Sequence, residues 1–229
     1  GVGAYNNFWM EQGYVFEQTS LVVDPKDGRL PSVTPQAQQR QEDLLSSRRS
    51  PSYPTTYEEP SLMERCITRG LPGVMLPGNY NHNYNILQTP TFVAILAEMI
   101  HDTRIIPLDG RPHLPSHIRQ YLGDMRGHWE GDTLVVETTN IKRTEGEPRV
   151  SVSDRIAVRA SNGQSDDTIR VVERFTRVDA GTINYHFTIE DPSHWTRSFS
   201  GEFPFVSTDE RLYEYACHEG NYSLAGVLS

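Results

Sequence analysis

The apolar positions of this chain fall into two regimes. From Ile86 onward, short runs of branched and aromatic residues recur between turn pairs, with the two-residue alternation of half-buried strands. The plainest case is Thr182–Glu190, where Ile183, Tyr185, Phe187 and Ile189 alternate with Asn184, His186 and Thr188. It follows residues 167–178 across the turn Asp179-Ala180-Gly181, so the two form a hairpin with one core face and one polar face. Residues 127–138 read as a second hairpin, turning at Glu130-Gly131-Asp132. Residues 92–99 are apolar on both faces, as in a strand covered on both sides. After a tight His101-Asp102 corner, residues 103–108 follow and end at Asp109-Gly110. Residues 195–205 and 211–217 complete a set of about eight or nine strands. No βαβ alternation appears, so the sheet is expected to be antiparallel. The expected fold is mainly β: an antiparallel up-and-down barrel of lipocalin-like character, with a two-sheet β-sandwich as the alternative.

Residues 1–80 lack this rhythm. They are rich in Pro and Gly, with turn pairs at Asp24-Pro25, Asp27-Gly28, Leu30-Pro31 and Pro77-Gly78. One helix is expected over residues 36–47, with Thr34 as N-cap and Pro35 in the first helical position. A second short helix is expected from Pro60-Ser61 through Cys66 to Gly70, after a Pro/Tyr/Ser linker at residues 50–60. A third is expected around residues 117–122, and residues 142–166 read as an excursion from the sheet. The organisation is then an N-terminal arm, residues 1–80, packed on a β-barrel domain, residues 81–229.

Composition narrows the function. The chain has 229 residues, of which 36% are hydrophobic and 10% aromatic, and its 11 Tyr and 8 Phe are more than a disordered chain carries. Its net charge of −9 argues against a nucleic-acid partner, which needs a basic footprint. No apolar run approaches the roughly 20 residues that span a bilayer as a helix. No nucleophile elbow, phosphate loop, dinucleotide fingerprint or metal-site spacing occurs, so no cofactor and no metal are expected. Cys217, His218 and Glu219 are neighbours whose side chains would diverge on an extended strand, which argues against a metal site there.

The informative feature is charge inside apolar strands. Glu98 follows Phe92, Ala94 and Leu96 on one strand face, and Glu173 shares a face with Ile169, Val171 and Phe175. Glu214 shares one with Leu212 and Ala216, and Glu137 ends an apolar run. Carboxylates buried in a barrel need partners, and Arg104, Arg174 and His186 can supply them. A second cluster, Glu98, His101, Asp102, Arg104, Asp109, Arg111 and His113, gathers at one hairpin end and the loop after it. Glu98, His101, Arg104 and Glu173 are therefore the candidate catalytic residues. Asp109, Arg111, His113, Arg174, His186, Tyr213 and Glu214 are the candidate ligand-binding residues. Against this stands the plainer reading of solvated corners and structural ion pairs. Cys66 and Cys217 are an even pair with no close spacing. In an exported chain they are expected to close one disulfide, two unrelated buried thiols being the alternative.

Several segments carry a family likeness. Residues 1–9, Thr19-Ser20-Leu21-Val22-Val23-Asp24-Pro25, Glu64-Arg65-Cys66-Ile67-Thr68-Arg69-Gly70-Leu71-Pro72-Gly73 and Ile86-Leu87-Gln88-Thr89-Pro90 are among them. So are Glu98-Met99-Ile100-His101-Asp102-Thr103-Arg104, Leu108-Asp109-Gly110-Arg111-Pro112-His113, residues 131–140, residues 172–179 and residues 213–222. Together they resemble a large, functionally uncharacterised family of exported soil-bacterial proteins whose members carry a signal peptide. The resemblance implies export to the periplasm or beyond, a processed chain here, and no residue roles. Three functions follow as expectations. The first is a barrel that binds a small organic molecule among aromatic and ionisable residues. The second is a cofactor-free lyase, isomerase or hydratase using Glu and His. The third is an assembly subunit, a homo-oligomer whose arm reaches a neighbour.

Overall fold

The computed structural model describes residues 16–47, 62–78, 80–142 and 169–219, together with Tyr222 and Gly226. The linker at residues 50–60 and all but Lys142 of the excursion at residues 142–166 lie outside the described residues. The described chain is mainly β. In chain order its strands are β1 Val22–Asp24, β2 Tyr84–Gln88, β3 Phe92–Ala97, β4 Thr103–Pro107 and β5 Asp124–Glu130, then β6 Thr133–Thr139, β7 Arg170–Arg177, β8 Thr182–Glu190 and β9 Phe199–Val206. They form two antiparallel sheets, one of six strands in the order β1-β9-β8-β7-β6-β5 and one of three in the order β2-β3-β4. The strands do not close into a hydrogen-bonded barrel among the described residues; the arrangement is compatible with a sandwich. No described helix is long and apolar enough to cross a membrane.

Both sheets feed one core. Val93, Ile95 and Ile106 of the small sheet pack with Leu134, Val136, Val171, Phe175, Tyr185, Phe187, Ile189, Phe199 and Phe203 of the large one. The two-residue period of the β7–β8 hairpin sets this face as its alternation requires: Tyr185, Phe187 and Ile189 are fully buried. Two glycines let the layers approach. A Cβ on Gly127 would come within 2.7 Å of the Ile106 side chain, and one on Gly201 within 2.3 Å of the Phe187 ring. Both lie on one row across the sheet, Gly127–Val136–Glu173–Phe187–Gly201. The Ile106 side chain and the Phe187 ring fill the space so left.

The helix α1, Pro35–Ser47, begins where its cap signal places it. Thr34 Oγ1 accepts the Ala37 N–H at 3.1 Å. The N-terminal segment is woven into the body rather than laid against it. Its strand β1 pairs with β9, Val33 bridges Trp195, and Arg40 donates to the Ser193 carbonyl at 2.7 Å.

Four local expectations are corrected. Residues 62–70 form turns, not a helix; Cys66 sits at φ 56°, which no right-handed helix allows, and a single 3-10 turn, Gly73–Met75, follows. Residues 117–122 form no helix, because the Gln120 backbone is spent on Asn140 and Lys142. Residues 211–217 form no strand: the Tyr213 N–H goes to the Glu98 carboxylate instead of a neighbouring strand. Finally, β3 is fully covered on one face only. Val93, Ile95 and Ala97 point inward and are buried; on the other face Ala94 is buried and Leu96 half-buried, but Phe92 and, on the flanking strands, Leu87 and Ile105 are exposed.

Candidate functional site

The inner face of β4 carries Arg104 between Asp102 and Ile106, and the inner face of β7 carries Glu173 between Val171 and Phe175. The two meet between the sheets. Arg104 Nη1 donates to Glu173 Oε1 at 2.9 Å and Nη2 donates to Oε2, a fork-to-fork pair. Arg104 is 1% exposed and Glu173 is not exposed at all. The Tyr185 hydroxyl, from the neighbouring strand β8, donates to Glu173 Oε1 at 2.8 Å. Burial, and then the adjacent Glu173 carboxylate, push the Tyr185 phenol well above its ordinary range, so it stays protonated. Burial works to lower the Arg104 pKa, but Glu173 outweighs it and the guanidinium is held more firmly charged. One polar atom of this triad, Arg104 Nε, is buried without a hydrogen-bond partner among the described residues.

Aromatic rings surround Tyr185. Tyr185 stacks on Phe205 at 5.3 Å with the planes 10° apart, and Tyr84 stacks on the same Phe205 at 5.1 Å. Phe175 and Phe187 tilt against Tyr185 at 4.9 and 5.8 Å, and Phe203 meets it edge-on at 5.3 Å. Tyr84, Ile183 and Phe205 are half-buried and pack against this core.

Beside the triad is a corner where backbone strain collects. Cys66, Asn81, Ile100 and His101 all have positive φ, and the last two are consecutive. Asp102 closes this turn; its Oδ2 accepts the Thr68 hydroxyl at 2.7 Å, and burial raises its carboxyl above the usual aspartate value. His82 contacts Arg69 at 3.0 Å, and burial together with that guanidinium lowers its pKa to about 4. Glu98 is buried and fully engaged: Asn83 Nδ2 donates to one oxygen and the Tyr213 N–H to the other, each at 2.8 Å. The Cys66–Cys217 disulfide, with Cα atoms 5.8 Å apart, ties the same C-terminal segment to this corner.

The structure thus unites Arg104 and Glu173 and separates the remaining candidates. Glu98 does not share the strand face of Phe92, Ala94 and Leu96; it lies past the end of β3 with helical φ, as an anchor for residues 211–217. His101 is exposed on the strained turn. Asp109 and Arg111 bond to each other on an exposed loop. Arg174 and His186 lie on the outer face, because they alternate with Glu173 and Tyr185; Arg174 pairs with Glu130 at 2.7 Å, and burial first, against an opposing pull from Glu202, lowers the His186 pKa. His113 bridges Asp124 at 2.8 Å and Glu137 at 3.3 Å, also outside. The Tyr213 and Glu214 side chains are exposed, so Glu214 has no apolar strand face to share. Sequence reasoning missed Tyr185, Tyr84 and Phe205 as site residues. Tyr185 was legible as a core position, and its polar tip in an apolar row was the available signal.

No group of three or more His, Cys, Asp or Glu side chains among the described residues is placed to hold a metal ion. Comparison with family models, with curated proteins and with solved structures returns no match.

Proposed function

We propose that this is an exported protein that binds a small organic molecule between its two sheets, with lipocalin-like character in the way the strands surround the ligand. Arg104, Glu173 and Tyr185 form the polar floor of the site. Tyr84, Ile183 and Phe205 form its rim, and Phe175, Phe187 and Phe203 its walls. The observation that carries this reading is the buried, unpartnered Nε–H of Arg104, in a triad whose Tyr185 packs among aromatic rings. A buried donor left without an acceptor costs roughly 1–3 kcal/mol, and a bound acceptor removes that cost. Such a site is mostly apolar with a few convergent polar groups, the usual make-up of small-molecule sites. The disulfide is compatible with export into an oxidising compartment. An acid–base enzyme draws less support, because Glu173 and Glu98 both spend their oxygens on fixed donors and His101 faces away. Native mass spectrometry of the protein from its own source tests the reading. A retained small molecule that leaves on denaturation is the expected result. Retention of none, with no binding across a panel of aromatic probes, overturns it.

A further inference from the structure

The charges at the floor of this site say which ligands it admits. Arg104 and Glu173 cancel each other, and neither retains a free charged face: the carboxylate holds the Arg104 fork and the Tyr185 hydroxyl. Asp102, two positions before Arg104, is engaged with Thr68. An anionic ligand would find no unneutralised cation, and a cationic one no unneutralised carboxylate; either would be buried as an unpaired charge, at a cost of several kcal/mol. The donor–acceptor balance is equally one-sided. Tyr185 gives its proton to Glu173, and Arg104 Nε–H is the donor left over. A ligand must therefore bring an acceptor. The walls set its shape, since Tyr185 and Phe205 stack with planes 10° apart and Tyr84 stacks on Phe205 at 29°, a run that a flat π-system extends.

We infer that the ligand is an uncharged, flat, aromatic or conjugated molecule bearing an oxygen acceptor such as a ketone, which takes the Nε–H of Arg104 while its rings continue the Tyr84–Phe205–Tyr185 stack. This rests on the binding reading above and deepens it.

Three fluorescent probes built on one dimethylaminonaphthalene ring test it with the intact, disulfide-bonded protein. One carries a propanoyl ketone, one carries no substituent in its place, and one carries a carboxylate there. The expected result is binding of the ketone at least about tenfold tighter than of the unsubstituted ring, and tighter still relative to the carboxylate. In Arg104→Lys, which keeps the charge opposite Glu173 but has no Nε–H, the preference for the ketone over the bare ring should fall to within about twofold. Should that variant not fold, Tyr84→Ala at the rim serves instead: all three affinities should drop while the ketone preference persists. Equal binding of ketone and bare ring by the wild type, or preference for the carboxylate, overturns the ligand class and leaves the site standing. Failure of all three probes to bind removes the site itself.

Discussion

Two charge networks among the described residues are built from the same residue types in opposite surroundings. On the outer face of the six-stranded sheet, Asp124, His113, Glu137, Arg170 and Glu190 form a chain of contacts from β5 to β8, with Arg126 attached. Most of its members are a quarter to nearly a half exposed. On the inner face a single pair, Arg104 and Glu173, is sealed from water and joined by Tyr185. The outer chain has many partners for each group and water behind them, so its individual links are weak and replaceable. The inner pair has no substitute partner. Apolar residues of similar volume would pack there at no greater cost, which makes stability a poor reason for its presence. A ligand-facing role supplies a better one.

The comparison breaks first at Glu173. Glu173→Gln leaves the Arg104 guanidinium buried without a counter-charge, and should cost about 3–5 kcal/mol, read as a large drop in urea midpoint at unchanged slope. The strained corner should give a pH signature of similar size. The pKa of His82 is lowered in the folded protein to about 4 from an ordinary 6.5, so folding is favoured by neutral His82 above pH 6.5. That contribution is lost as pH falls from 6.5 through about 4, on the order of 3–4 kcal/mol at ~1.4 kcal/mol per unit. His82→Gln should flatten this slope. Asp102 acts with the opposite sign. Its folded value is raised, so its contribution is complete below the ordinary aspartate range and fades as pH rises through the raised value; Asp102→Asn should remove that decline. Next is Tyr185→Phe, which deletes one hydrogen bond to Glu173 and should cost about 1–3 kcal/mol in chemical denaturation. Smallest is Glu137→Gln on the outer face. Its loss should stay under about 1 kcal/mol and shrink further in high salt, which separates the two networks in one series of melts.

The division between what the chain betrays and what it conceals follows the range of the interactions. Strand alternation is local, so both long hairpins and their turns could be read from side-chain order, as could the Thr34 cap. Facing of residues within one strand was likewise legible: Glu173 shares its face with Ile169, Val171 and Phe175, and both apolar neighbours of Glu173 on β7 are buried. Which carboxylate meets which arginine was not legible, because Arg104 and Glu173 sit on different sheets and no periodicity records how sheets are laid together. Glu98 shows the cost of extrapolating a strand by one residue: β3 ends at Ala97, the backbone turns into helical φ, and the side chain leaves its expected face. Residues 211–217 alternate like a strand yet are held by one carboxylate and one disulfide, partners distant in sequence. Closure into a barrel needs β4 to pair with β5 and β1 with β2, and among the described residues neither ladder forms. At the β4–β5 edge Gly127 receives the side chains of Ile106 and Leu108 by packing instead.

Whether the inner ion pair serves a ligand can be read by removing its charge without removing its volume. In Arg104→Met/Glu173→Leu no charge is left unpaired and only the Tyr185 hydroxyl loses its acceptor, so the protein should still fold, with a loss of no more than about 1–3 kcal/mol. Titration of this variant with the ketone-bearing naphthalene probe should then show an affinity lower by about tenfold or more. Wild-type affinity in the well-folded double variant would contradict the account and reduce the pair to a feature of the core.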